Sequence, residues 1–195
     1  ILAKSFPNNT LETLIFKNVK TERAQLSSLL EVMDEYPQLK NFTLTHQDFN
    51  NYQIESSFVS QLNINTGILR LDISGSKMRP RTLMHICHAI SQNAYGKPLR
   101  FLNLSYINIE EGGVHEGEYD VMEALRSPTT PLDLSPVKGQ SPKFSLSIVA
   151  YICQLIRESE NLKHLDLSGM NLRDRVKPII QSIKIAKSSS LMSVH

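Results

Sequence analysis

One phrase returns through this chain at a nearly constant interval, and no other feature restricts the fold as much. It is an apolar anchor followed by further apolar residues three and five positions on. The copies are Leu11-x-x-Leu14-x-Phe16, Leu39-x-x-Phe42-x-Leu44, Ile68-x-x-Leu71-x-Ile73, Leu99-x-x-Leu102-x-Leu104 and Leu162-x-x-Leu165-x-Leu167, and another opens at Leu191 with Val194. Successive anchors lie 28, 29, 31, 63 and 29 residues apart. The interval of 63 is about twice the others, and Thr129-Thr130-Pro131-Leu132-Asp133-Leu134-Ser135 fits a concealed copy within it. That reading gives six complete copies and the start of a seventh. One such phrase arises often by chance; six in step do not.

The phrase has the period of a strand, in which alternate side chains share a face. Between copies the period changes to that of a helix with one apolar side. Leu26, Leu29, Leu30 and Met33 form such a stripe, as do Leu83, Ile86, Cys87 and Ile90. So do Ile148, Ile152, Leu155 and Ile156, and finally Val176, Ile179, Ile180 and Ile183. Val121, Met122 and Leu125 make a shorter stripe, and Phe58 with Leu62 the weakest. All are expected to face inward. Pro178 is tolerated in a first turn, where no backbone N–H bond is lost.

Six copies of this wording resemble the leucine-rich repeat family, and the resemblance covers Leu11 to His195. A period near thirty is similar to the ribonuclease-inhibitor-like subclass, whose repeats alternate strand and helix. Leu71-Asp72-Ile73-Ser74-Gly75 and Leu165-Asp166-Leu167-Ser168-Gly169 also resemble tropomodulin-like and CARMIL-like actin-regulatory proteins. The resemblance implies a right-handed α/β solenoid, a horseshoe of parallel inner strands and outer helices. Residues 1–195 form a single such domain, read as a piece of a longer solenoid, with an irregular insertion about 110–144. Family repeats carry Asn or Cys eight residues after the anchor; here Val19, Gln47, Ser76, Ile107, Val137 and Met170 stand there. Irregular turns are therefore expected.

Composition narrows the function. Lys and Arg total 21 against 19 acids, a net +2 with no basic block, so a nucleic-acid partner is not expected. No apolar run reaches membrane-spanning length. Two cysteines, Cys87 and Cys153, lack disulfide-scaffold or metal spacing and point to a reducing, cytoplasmic location. They fall in repeats read as separated by a whole unit, which keeps them from pairing. His85-Ile86-Cys87-His88 offers two ligands at most on one side of a helix, so no metal site is read there. No phosphate-binding loop, H-E-x-x-H or nucleophile elbow occurs, and no catalytic residue, cofactor or small-molecule substrate is inferred.

What remains is binding to another protein. Residues two, four and six after each anchor face away from the core. This puts Arg70, Phe101 and His164 in one row, and Asp72, Asn103, Asp133 and Asp166 in the next. Phe101 and Arg70 are the residue types that dominate interface hot spots. Asp133 and Asp166, on adjoining strands, would form an acidic strip for a partner with a basic patch. The same aspartates equally serve as solvated repeat wording bonded to neighbouring serines.

Glu110, Glu111, Glu116, Glu118, Asp120 and Glu123 make an acidic loop in the insertion, a second surface for a partner or simply a solvated one. Four Ser/Thr-Pro steps follow, and Ser135 and Ser141 are candidate phosphorylation sites where added charge would repel an acidic partner. These prolines also serve simply to end regular structure. A protein-binding scaffold is the function expected. Regulation of a GTPase or of actin assembly, or a structural place in a large complex, are the alternatives.

Overall fold

The computed structural model describes residues 11–36, 38–64, 67–91, 99–109, 142–170, 172, 176–186 and 191–195. Strands and helices alternate. They are β1 (Thr13–Phe16), α1 (Arg23–Glu35), β2 (Asn41–Leu44), α2 (Tyr52–Ile64), β3 (Arg70–Asp72), β4 (Lys77–Met78) and α3 (Pro80–Ser91). Then come β5 (Phe101–Asn103), β6 (Asn108–Ile109), α4 (Pro142–Glu158), β7 (His164–Asp166), α5 (Val176–Ile185) and β8 (Ser193–Val194).

Helix starts are set locally. Asn51 Oδ1 accepts the backbone N–H groups of Gln53 and Ile54 at 2.9 and 3.3 Å, capping α2. Gln25 reaches back to the N–H of Glu22 at 2.9 Å ahead of α1. Pro80 opens α3 and Pro178 lies in the first turn of α5, where a missing N–H costs nothing.

The strands form one six-stranded sheet in the order β1-β2-β3-β5-β7-β8, every pair parallel. Parallel neighbours need a crossover, and the helices supply it. Each helix packs on the next, α1 on α2 through to α4 on α5. Phe42, Leu71, Leu102 and Leu165 are wholly buried, and so are Leu44, Ile73 and Leu104 two residues on. They join Leu30, Phe58, Leu83, Ile86, Ile152 and Leu155 from the helices in one continuous core. No strand–helix unit could cover its own apolar face, so the neighbours do it. No described helix is long and apolar enough to cross a membrane.

Four expectations are corrected. First, β5 pairs directly with β7, Phe101 opposite His164, so no strand lies between them. The interval of 63 residues is therefore one step in the order of this sheet, not two. Residues 129–135 lie outside the described residues, but Asp133 does not stand between Asn103 and Asp166 in this sheet. Helix α4 also begins at Pro142, inside the span read as insertion. Second, α3 packs directly on α4, so Cys87 and Cys153 sit on neighbouring helices with no unit between them; both are free and buried. Third, of the last inward stripe only Ile179 is buried, while Val176, Ile180 and Ile183 are 44%, 47% and 36% exposed. A helix packed on one side covers only that side.

Fourth, the turns are regular. Asn18, His46, Gly75, Tyr106 and Gly169, each seven residues after its anchor, all adopt φ between 55° and 70°. A second, two-stranded ladder follows the turn, β4 beside β6, extended by a bridge from Asp48 to Lys77. Without the asparagine, other side chains bond the turn. Buried Gln47 donates from Nε2 to the carbonyls of Val19 and Thr45 at 2.7 and 2.8 Å, and accepts from Thr21. Its own N–H donates to Ser76 Oγ at 3.1 Å.

Candidate protein-binding face

The face of the sheet opposite the helices carries the residues two and four positions after each anchor. Strand register sets which side chains meet, because a slip of one residue would invert every one. The observed register aligns Thr13, Asn41, Arg70, Phe101, His164 and Ser193 in one row straight across the sheet. The pairing inferred from the anchors alone is therefore the pairing the strands adopt, with Phe101 half-buried on the open face rather than in the core.

Side chains in this row meet in two groups, Thr13 with Asn41 and Arg70 through Ser193. Asn41 Nδ2 donates to Thr13 Oγ1 at 3.0 Å. The guanidinium carbon of Arg70 lies 4.0 Å from the centre of the Phe101 ring, in cation–π range. On the other side of Phe101 the His164 ring is 5.9 Å away, inclined at 40°. His164 Nδ1 in turn is 2.7 Å from Ser193 Oγ. Arg70 is exposed, Phe101 and His164 half so. A flat aromatic flanked by a cation and an imidazole, each held by a neighbour, loses little side-chain freedom when something lands on it.

The next row reads Ile15, Thr43, Asp72, Asn103 and Asp166. Asp72 Oδ1 accepts the N–H of Ser74 at 3.0 Å, and Asp166 Oδ1 that of Ser168 at 2.9 Å. Asn103 Oδ1 does the same for Ser105 at 2.9 Å. One oxygen of each is thus spent on its own turn, an Asx-type bond that steers the chain into the left-handed residue that follows. Neutral Asn103 lies between the two aspartates, which at about 4.8 Å per strand puts them roughly 10 Å apart. A tight acidic strip is not what this row forms. The third row is partly closed: Thr45 and Ser105 are buried, and Thr43 in the second row is buried too. Ser135 and Ser141, like Asp133, lie outside the described residues.

The rim of this face holds a pattern that anchor spacing does not reveal. A Cβ placed on Gly75 would come 2.6 Å from His46 Nε2, and one on Gly169 would come 2.3 Å from Tyr106 Cδ1. The His46 and Tyr106 rings occupy the space the glycines leave. Ring and glycine therefore alternate from unit to unit, which the column His46, Gly75, Tyr106, Gly169 could have signalled.

Behind the sheet, Glu55 of α2 is buried between helices. It accepts from Thr82 Oγ1 at 3.0 Å and lies 2.9 Å from His85 Nδ1, both on α3. Burial alone would raise its pKa, but the bonds from His85 and Thr82 and the charges of His85 and Arg81 outweigh it and hold the carboxyl below its ordinary value. His85 is thus engaged with a carboxylate across the helix seam. Burial pushes the Cys87 thiol up to about 12. It also raises Cys153, with Ser182 and Arg157 partly offsetting. Neither is a poised nucleophile. Among the described residues no three His, Cys, Asp or Glu side chains stand where they could hold a metal ion.

Neither a protein-family model nor a curated protein sequence matches the chain. Solved structures do match its fold. One is leiomodin-1 actin-binding site 2, with a TM-score of 0.58 and 15% identity, covering 95% of this chain and 84% of that one. Another is the tropomodulin C-terminal domain from Caenorhabditis elegans, with a TM-score of 0.55 and 9% identity, covering 92% of this chain and 86% of that one. At these identities the likeness is one of fold: an α/β arrangement of a parallel sheet and packed helices.

Proposed function

We propose that this chain is a non-enzymatic, cytoplasmic protein-binding module that acts in actin assembly. In this reading residues 1–195 form a single right-handed leucine-rich-repeat solenoid and hold the partner on the open face of the sheet. Arg70, Phe101 and His164 make the anchor, with Asp72, Asn103 and Asp166 beside them offering their remaining acceptors to basic groups of the partner. The observation that carries the reading is the ordered run of cation, phenyl ring and imidazole across three adjoining strands. Nothing in the core needs these side chains in that order. Actin is favoured over a GTPase because one of the matching folds is an actin-binding site.

The test is co-sedimentation with actin filaments together with capture of labelled actin monomers. The chain is expected to bind one of the two forms. Arg70→Ala, which removes an exposed side chain, is expected to weaken binding about tenfold, and Phe101→Ala at least as much. Absence of binding to either form removes actin from the proposal. Binding that survives both substitutions removes the face.

A further inference from the structure

In each repeat phrase two residues, not one, lie between the first pair of inward apolar side chains. Leu99 and Leu102 are buried, as are Leu162 and Leu165, so both residues between them turn away from the core. The second of these forms the row that holds Arg70, Phe101 and His164. The first forms an edge beside that row: Glu12, Lys40, Leu69, Arg100, Lys163 and Met192. Each N–H along this edge donates to the carbonyl of the residue before it, strand to strand.

Charge is handled differently at the two ends of the edge. Beside β1 and β2, Glu12 and Lys40 pair at 2.7 Å. Further along, exposed Arg100 and half-buried Lys163 adjoin each other, and Arg70, opposite Phe101, stands diagonally across from Arg100. No ion pair or side-chain hydrogen bond from a described residue engages Arg100 or Lys163. Of the acids three residues either side of Lys163, Glu160 is already engaged and Asp166 bonds Ser168. Like charges on neighbouring strands, about 4.8 Å apart at the backbone, repel. The fold thus neutralises one end of the edge and leaves three cations together at the other.

We infer that the partner supplies the missing carboxylates: the open face takes an extended acidic segment of another protein. Its acids seat on Arg100, Lys163 and Arg70, and an adjoining apolar side chain lies on the Phe101 ring. This rests on the reading of the open face as a protein-binding surface and gives that surface a polarity. Cations stand where the strands begin, Phe101 lies beside them, and Asp72 and Asp166 follow two residues after Arg70 and His164. At about 3.3 Å per residue, the step from the cationic edge to the aspartates is about 10 Å. A bound segment therefore carries acid, then an apolar residue, then a group that donates to the aspartates.

A single-stranded nucleic acid fits less well. It too brings negative charge and stacking rings, but its phosphates recur along the whole strand and would meet Asp72 and Asp166 within that distance. The net charge of +2 provides no wider basic track to hold them.

The test uses the full chain and a fluorescent synthetic peptide, read by anisotropy: a short run of glutamates, one phenylalanine and a following lysine. A second peptide has lysines in place of the glutamates, and single-stranded oligothymidine serves as the polyanion. The acidic peptide is expected to bind saturably, at least about tenfold more tightly than either, and to weaken as salt rises. Arg100→Glu combined with Lys163→Glu is expected to lower that affinity at least about tenfold and to favour the lysine peptide. Arg100→Gln with Lys163→Gln keeps much of both stems and is expected to give a smaller loss at an unchanged melting temperature, which separates lost charge from lost folding. No saturable binding, equal binding of the two peptides, tighter binding of the oligonucleotide, or binding that survives the glutamate pair would overturn the inference. The actin reading is tested apart from this one. Peptide binding that needs Arg100 and Lys163, in a chain that ignores actin, keeps the cationic edge and removes actin. Actin binding that Arg70→Ala weakens and the glutamate pair leaves intact keeps the open face and removes the cationic edge.

Discussion

Helices α4 and α5 carry much the same apolar periodicity, yet one is buried almost all round and the other on one side. Ile148, Ile152, Leu155 and Ile156 of α4 are all at or below 4% exposure, whereas in α5 the matching stripe keeps only Ile179 out of water. The difference is not in the helices but in what flanks them. An amphipathic pattern states which side of a helix is apolar; only a neighbour decides whether that side is dry. Apolar patterning and burial are therefore separable: α4 is closed in by α3 and α5, whereas α5 packs chiefly on α4.

The comparison breaks most easily on truncation. Leu155→Ala in α4 removes a wholly buried side chain closed in by two helices, and should cost about 2–5 kcal/mol in denaturant unfolding. Ile180→Ala in α5, nearly half exposed, should fall within about 0.5 kcal/mol of the unsubstituted chain. Comparable losses at the two sites would mean that α5 is covered in solution after all.

The unit that contains α5 is open at its helix but closed at its turn, and the next effect tests that contrast. Gly169 sits at φ 70° with the Tyr106 ring where a Cβ would be. Gly169→Ala combines left-handed strain with overlap and should destabilise by about 1–3 kcal/mol. Adding Tyr106→Ala should restore the part due to overlap and leave only the backbone part, of about 1 kcal/mol. If the second substitution restores nothing, the ring had already moved aside, and the alternation of ring and glycine does not set the turn.

Those two regions also show what sequence reading could reach. Register was legible, because anchors such as Leu71, Leu102 and Leu165 must face the core and so settle where Arg70, Phe101 and His164 point. The contacts among those three were not, since spacing places residues in a row without telling which rings lean together. The copy read at Thr129 misled for a physical reason. The distance between two adjoining strands can approach twice the period by accident, and Leu132-Asp133-Leu134-Ser135 imitates the wording. The warning lay in the polar anchor Thr129 and in Pro131 within the strand, where a ladder bond would be lost. Glycine at the left-handed turn position is readable at Gly75 and Gly169, but His46 and Tyr106 in that conformation are not, because their rings are stabilised by the neighbouring unit. The openness of α5 was illegible by nature, since its own residues look like those of a core helix.

A covered seam need not be apolar throughout, and a further predicted effect shows where. Between α2 and α3 the carboxylate of Glu55 faces Thr82 and His85 rather than aliphatic groups. An ionised carboxylate only accepts, so both partners donate to it; in Glu55→Gln one oxygen becomes a donor group and one bond is lost. The expected cost at neutral pH is about 1 kcal/mol. The pH dependence identifies the cause. Because the folded pKa of Glu55 lies below the ordinary 4.5, its contribution is fully present above that value and drains away as pH falls through the folded pKa. The two stability curves should therefore run apart above pH 4.5 and converge below it, where a protonated Glu55 resembles the amide. Curves that stay parallel into acid would show that shape alone holds this seam, and that its charge contributes nothing to joining α2 to α3.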